Sequence, residues 1–109
     1  MDTPFFSPES ITAMVASGAQ IVLFTTGAGN SYCSLVAPTI KISANPQSCE
    51  RLTEQIDIVA AGVVLGTTSL EALADEALQQ LLGVASGALT FGEIIGEGSE
   101  VVSRIGPSM

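Results

Sequence analysis

The stretch IVLFTTGAGNSYCS, residues 21–34, indicates the fold because a short apolar run changes abruptly into a segment rich in glycines and hydroxyls. Residues 21–26 are apolar and β-branched, the pattern of a strand that is buried on both faces. Pro8 is typical of a helix start and Gly18 of a helix end, which predicts a first helix over residues 8–17. A helix followed by a buried strand indicates an α/β unit.

The same alternation continues after the glycine-rich segment. Residues 38–43 alternate in polarity and predict a second strand. Asn45 and Pro46 then begin a helix that is expected to reach Glu54 or Gln55. A third strand is expected within residues 58–65.

The clearest helix of the sequence follows this third strand. Thr68-Ser69-Leu70-Glu71 matches a capping box, and leucines and alanines then recur at helical spacing as far as Ala85. Val101–Ile105 is expected to add an edge strand. The sequence thus predicts an α/β fold, a small layered, Rossmann-like sheet of three to four strands flanked by three helices. One domain is expected over residues 1–109, with residues 88–109 as its glycine-rich acidic tail.

Composition and charge exclude several classes of partner. Apolar residues make up 47% of the chain and charged residues 13%, which indicates a folded domain with a substantial core. No apolar run is long enough to span a bilayer and no secretory signal is recognisable, so a cytoplasmic protein is expected. The formal net charge of -8 would repel a phosphate backbone, so neither nucleic acid nor a membrane is an expected partner.

Metal and nucleophile chemistry lack their usual residues. The sequence contains no histidine and only two thiols, Cys33 and Cys49, which are expected to be free. Two thiols cannot build a closed zinc site, so no metal is predicted to bind this chain alone. The lack of histidine also removes the usual general base. Any catalytic step is therefore expected to need another segment of protein.

The glycine-rich segment follows the carboxyl end of the first predicted strand, where α/β sheets bind ligands. Its glycines would let backbone amides approach an anion, and its hydroxyls and amide could bind a carboxylate. Two interpretations stay open, a ligand-binding loop or a turn that the glycines merely shape. A cation on the next strand completes the candidate set, but it could equally be a solvated surface residue. The candidates are Thr25, Thr26, Gly27, Gly29, Asn30 and Lys41.

Nucleotide-binding motifs do not fit this segment. Gly27 and Gly29 match the first two glycines of the dinucleotide fingerprint, but Tyr32 occupies the third glycine position and Pro38 prevents a long helix. No Gly-Lys-Ser/Thr sequence follows, which excludes a P-loop.

Short motifs recur in a fixed order along the chain. They are MDTP at the N-terminus, FTTG-G followed by P-IK, DI-A before the capped helix, and ASG after it. In this order they resemble the C-terminal portion of the altronate/galactarate dehydratase family, sugar-acid hydro-lyases that include a sulfolactate sulfo-lyase branch. The resemblance extends from Met1 to about Gly87, and more loosely to the end.

This resemblance implies a role within a larger enzyme. Family members eliminate water from sugar acids with a divalent metal, Fe, Mn, Mg or Ca, whose ligands would lie in upstream domains or a separately encoded catalytic subunit. The isolated chain is therefore expected to be inactive, and homo-oligomerisation stays open. Position by position, the resemblance points to the same six candidates, and it adds Asp2, Thr3 and Asp57 as second-tier candidates. Asp57 could equally be a surface acid, and Asp2 and Thr3 could form a turn before Pro4.

The chain departs from the family pattern inside the candidate site. Ala28 stands where the family usually has an arginine between the two glycines, which removes a carboxylate clamp. Val59 and Ala61 replace an asparagine and a glycine, and Cys33 replaces another glycine. These changes leave two hypotheses, a substrate-binding domain of a sugar-acid hydro-lyase and a non-catalytic binding or assembly module that kept the fold.

Overall fold

The structure, a computed structural model, describes Thr3 and residues 6–102. Within these residues, three parallel strands form one sheet in the order β1-β2-β3. This confirms the predicted α/β class and a sheet of three strands. The elements in chain order are α1 (Ser7–Ala16), β1 (Val22–Thr25), β2 (Thr39–Ser43), α2 (Pro46–Arg51), β3 (Ile58–Val59), α3 (Ala61–Val64), α4 (Leu70–Ala85) and α5 (Phe91–Ile95).

One face of the sheet is apolar and is covered by α4. Ile40 and Ile58 have no exposed surface there, and Val84 of α4 packs with them. Burying each such side chain contributes about 2–3 kcal/mol before the entropy cost of ordering it. Ser69 caps α4, because its side chain accepts a hydrogen bond from the amide of Ala72. The helix adds the partly buried residues Leu73, Ala77 and Leu81 to this core.

On the opposite face of the sheet, β2 is polar and is covered by irregular chain. Successive side chains of a strand point to opposite faces, so Thr39, Lys41 and Ser43 lie on this side, and all three are buried. Residues 26–38 connect β1 to the parallel strand β2 without a helix and cross this face. Beside this segment, α1 contributes Ile11 to a second apolar cluster with Val22.

The third strand predicted within residues 58–65 is present but short, and it covers only Ile58–Val59. Val59 pairs with Ser43, the last residue of β2, so a longer β3 would have no neighbour to bond. The chain instead turns into α3 at Ala61. A short apolar run fits a buried strand or a buried helix equally well, which is why the residue pattern alone misled.

Helix boundaries also differ from prediction in three places. The first helix, α1, spans Ser7–Ala16 rather than residues 8–17, one residue earlier at each end. α2 ends at Arg51 rather than at Glu54 or Gln55, because the amides of Gln55 and Ile56 both bond to the carbonyl of Leu52 and turn the chain toward β3. The start of α4 lies one residue later than the predicted capping box, with Ser69 rather than Thr68 as its cap.

The predicted acidic tail contains a helix that the sequence analysis missed. α5 begins at a true capping box, in which Thr90 and Glu93 bond each other's backbone amides. Residues 101–102 form no strand, and the remainder of the predicted edge strand, residues 103–105, lies outside the described residues.

Candidate functional site

A shallow pocket of about 370 Å³ opens at the carboxyl ends of the three strands. Its size falls in the usual range for small-molecule sites. Thr25, Thr26 and Gly27 line it where β1 ends, so three of the six first-tier candidates meet there. The other lining residues are Ile42 near the end of β2, Ala44 and Asn45 directly after β2, and Ala60 directly after β3.

Asn45 is a lining residue that the sequence analysis did not propose. Its side-chain oxygen caps α2 by accepting a hydrogen bond from the amide of Gln47 at 3.0 Å, and its NH₂ group can donate to a ligand. The rule that selected the loop after β1 also applies to the residue that follows β2. Applied to every predicted strand, that rule would have found Asn45.

Two of the proposed polar side chains hold the loop in shape. The Thr26 hydroxyl accepts a hydrogen bond from the amide of Gly29 at 3.1 Å, and the Asn30 side-chain oxygen accepts one from the amide of Tyr32 at 2.9 Å. The Ser48 hydroxyl donates to the carbonyl of Gly27 at 2.7 Å, which ties the loop to α2. The loop is thus organised without a ligand, and Asn30 is not among the pocket-lining residues.

The two loop glycines differ in what they are needed for. Gly29 has a φ of +93°, and a Cβ on it would lie 2.0 Å from a methyl carbon of Leu52. Gly29 is therefore required by the backbone itself. Gly27 has no positive φ, and a Cβ on it would have no described atom within 4 Å, so a side chain there would point into open space. Close approach of a ligand would give Gly27 a reason to lack a side chain.

Lys41 does not line this pocket, although it was proposed with the loop. Its side chain is 0% exposed on the polar face, where Nζ donates to the carbonyl of Ser31 at 3.0 Å and pairs with Glu97 at 3.2 Å. The alternative of a solvated lysine is wrong, because the Lys41 side chain is fully buried. Residues 26–38 bring backbone carbonyls onto the sheet, and an ammonium group supplies the donor that such buried acceptors need.

Asp57 bridges two distant parts of the backbone. One carboxylate oxygen accepts a hydrogen bond from the amide of Lys41 and the other from the amide of Phe91, both at 2.8 Å. This carboxylate links β2 to the start of α5, so the alternative of a plain surface acid is wrong. Thr3 accepts a hydrogen bond from Ser10 at 2.7 Å and does not line the pocket, and Asp2 lies outside the described residues.

Glu100 fixes the last described segment against α1 and the crossing segment. Its carboxylate accepts hydrogen bonds from the Thr12 hydroxyl at 2.8 Å, from the Ser34 hydroxyl, and from the amide of Leu35 at 2.9 Å. Burial acts to raise the pKa of Glu100, but these hydrogen bonds outweigh it and leave the pKa below its ordinary value. The sequence analysis gave this residue no role.

The two cysteines are free and buried, as expected. Burial raises the pKa of the Cys33 thiol, and the nearby Lys41 ammonium opposes that rise only in part. The described residues contain no group of three or more Cys, Asp or Glu side chains that could hold a metal ion. They do not fit the divalent metal that the family resemblance implies.

The pocket can bind an anion only through neutral donors. Its lining includes two threonine hydroxyls and an asparagine amide but no charged side chain. Such donors orient a carboxylate, while its charge must be balanced by a group from elsewhere.

In the described part of the chain, no helix has the length and apolar character needed to cross a membrane.

The chain is similar in sequence to a known protein family and to several characterised relatives. The family model described as D-galactarate/altronate dehydratase, C-terminal, matches residues 1–108. The chain is 33% identical over 105 residues to the (2R)-sulfolactate sulfo-lyase subunit beta of Chromohalobacter salexigens, covering 96% of this chain and 27% of that protein. It is 33% identical to the galactarate dehydratase (L-threo-forming) of Escherichia coli, over 70% of this chain and 14% of that protein. It is 36% identical to the altronate dehydratase of Bacillus subtilis, over 72% of this chain and 16% of that protein. The chain thus spans about a quarter or less of the length of these relatives.

Proposed function

The chain belongs to the D-galactarate/altronate dehydratase family, matching its C-terminal domain, and from this premise we propose that it binds the carboxylate of a sugar-acid substrate. The observation that supports the proposal is the pocket at the carboxyl ends of the strands, lined by Thr25, Thr26 and Gly27. These residues belong to FTTG-G, one of the motifs on which the resemblance to the family was based.

In this proposal the chain orients the substrate and does not carry out proton transfer. The reaction removes a proton next to a carboxylate and expels a hydroxyl from the adjacent carbon. The threonine hydroxyls and the Asn45 amide would hold the carboxylate, and they would also steady the negative charge that grows on it as the proton leaves. The proton-transfer groups, the balancing cation and any metal are predicted in the upstream domains or the separate subunit.

A sulfonate-bearing acid is a second candidate substrate. The alignment with the sulfo-lyase beta subunit covers 96% of the chain, whereas the alignments with three dehydratases cover between 70% and 85% of it. In a sulfo-lyase the group expelled would be sulfite rather than hydroxide. The carboxylate that the pocket is proposed to hold is common to both reactions.

The test is a titration with galactarate, altronate and sulfolactate, followed by the backbone amide shifts of the natural gene product. Intact mass in its own cells first establishes whether that product is larger than 11.1 kDa. Saturable shifts confined to residues 25–30 and Asn45 are expected for one of the three acids. No saturable shift with any of them at tens of millimolar would overturn the proposal and favour the non-catalytic module.

Gly27→Ala sharpens this titration. The added methyl group would have no atom of the described residues within 4 Å, so the fold should be unchanged, but it would occupy space that a bound carboxylate needs. We expect at least a ten-fold weaker affinity. Ser31→Ala is the matched control, because Ser31 is an exposed residue of the same loop that does not line the pocket. Equal affinities of the two variants would contradict binding at Gly27.

A further inference from the structure

One side of α4 carries exposed leucines that nothing in the described part of the chain covers. At 100° per residue, Glu71, Asp75, Leu78 and Leu82 fall on one side of α4, about 130° around the helix from its core-facing residues. Leu78 is 50% exposed and Leu82 is 52% exposed. The outer flank of α4, defined by these four residues, thus combines two half-exposed leucines with two carboxylates.

The sheet below α4 is also covered incompletely. Leu23 of β1 pairs with Ile40 and points to the same face, yet it is 53% exposed while Ile40 is fully buried. Parallel sheets are stable almost only where both faces are covered. A domain that exposes apolar side chains on its sheet and on its main helix is therefore expected to pack against a further protein surface.

Charge argues against a second copy of this chain as the partner. The described residues include only two cations, and Lys41 is buried against Glu97, which leaves Arg51. The net charge of -8 would make two copies repel each other, and two outer flanks would bring their carboxylates together. A surface with apolar residues flanked by lysine or arginine is complementary to Leu78 and Leu82 beside Glu71 and Asp75.

We propose that the outer flank of α4 is the docking surface for the remainder of the dehydratase, through an apolar patch edged by basic residues. Relatives of this chain are about four to seven times longer than the part it matches, which supplies a partner of sufficient size. This inference rests on the proposed function, because its partner is the rest of such an enzyme. Docking there would hold the pocket at the carboxyl ends of the strands in a fixed position relative to the catalytic groups.

The experiment compares thiol labelling at two positions of α4. Leu82→Cys probes the outer flank, and Glu76→Cys probes the exposed opposite flank as a matched control; both native cysteines are buried. Maleimide labelling rates are measured for the isolated 109-residue chain and for the product in an extract of its own cells. In the extract we expect Leu82→Cys to react at least ten-fold more slowly than in the isolated chain, with Glu76→Cys unchanged.

Three results would overturn the proposal. The first is equal slowing, or none, at the two positions. The second is slowing of Leu82→Cys in the isolated chain that increases with its concentration, which would identify a second copy as the partner. The third is protection that survives the paired change Glu71→Lys and Asp75→Lys, since that change should restore labelling while Glu76→Lys should not. None of these readouts uses substrate, so a failed ligand titration and a failed docking test are distinguishable.

Discussion

The two faces of β2 are both buried, but they are stabilised by different physics. On one face Ile40 packs under a regular helix, and the stabilisation comes from removing apolar surface from water. On the other face Lys41 lies under irregular chain, and hydrogen bonds and an ion pair satisfy the groups that the covering segment brings in. The alternating polarity of β2 therefore does not separate a buried face from an exposed one. It separates a face covered by a helix from a face covered by irregular chain.

The largest expected effect breaks the apolar side of this comparison. Ile40→Ala should lower the free energy of unfolding by about 3 kcal/mol, because it leaves a cavity beneath α4. Leu23→Ala, on the same face and opposite Ile40 in register, should cost less than about 1 kcal/mol because its side chain is half exposed. Urea unfolding of both variants measures the difference. Equal costs would contradict the position of α4 over β2.

The polar side should respond almost as strongly. Glu97→Ala would leave the buried Lys41 ammonium with only uncharged partners, the Ser31 carbonyl and the Cys33 thiol, which should cost about 2 kcal/mol. Adding Lys41→Met should recover part of that loss, because the unpaired charge is then gone. Glu54→Ala, at an exposed acid, is the control and should change stability little. A double variant less stable than Glu97→Ala alone would contradict this account.

The loop glycines test whether the turn or the ligand requires them. Gly29→Ala should lower stability by about 1–2 kcal/mol, because alanine is strained at a φ of +93° and its Cβ would crowd Leu52. Gly27→Ala should change stability by less than about 0.5 kcal/mol, since the added methyl group meets open space. Thermal unfolding of the two variants separates these outcomes. A large loss from Gly27→Ala would remove the reason to link that glycine with a ligand.

The smallest expected effect concerns acid. The pKa of Glu100 is lowered in the folded protein, so its contribution to stability is present above its ordinary value of 4.5 and is lost as the pH falls below it. Glu100→Gln should therefore be less stable than the unmodified chain at pH 7, by less than about 1 kcal/mol, and the gap should close below about pH 4.5. Urea unfolding between pH 3 and pH 7 measures it. A gap that widens in acid would reverse the assigned sign.

Sequence reasoning found most of the fold because its signals were local. The proline at the start of α1, the cap of α4, the apolar spacing of both helices and the β-branched run of β1 depend on neighbours within a few residues. The end of β3 depends on where β2 stops, which no residue in 58–65 encodes. α5 had a local signal, Thr90 with Glu93, that the glycines around it obscured.

The candidate site likewise contains residues that local sequence signals predicted and residues that they did not. Thr25, Thr26 and Gly27 were predicted from their place after a strand, and the structure puts them at the pocket. Lys41 was grouped with them because it lies on the next strand, but strand geometry sends its side chain to the other face from Thr25, whose register partner is Ile42. The hydrogen-bond partners of Asp57 are 16 and 34 residues away, and those of Glu100 are 65 or more residues away, beyond the reach of any local pattern.

The carboxylate of Asp57 also couples the opening of two backbone amides that lie far apart in the sequence. The amides of Lys41 and Phe91 are held by the two oxygens of one side chain. Neither amide can exchange with solvent deuterium until its bond to that side chain opens, so a single rotation of the Asp57 side chain would release both. Two residues fifty positions apart would then share one opening rate, which hydrogen exchange at the two amides would measure.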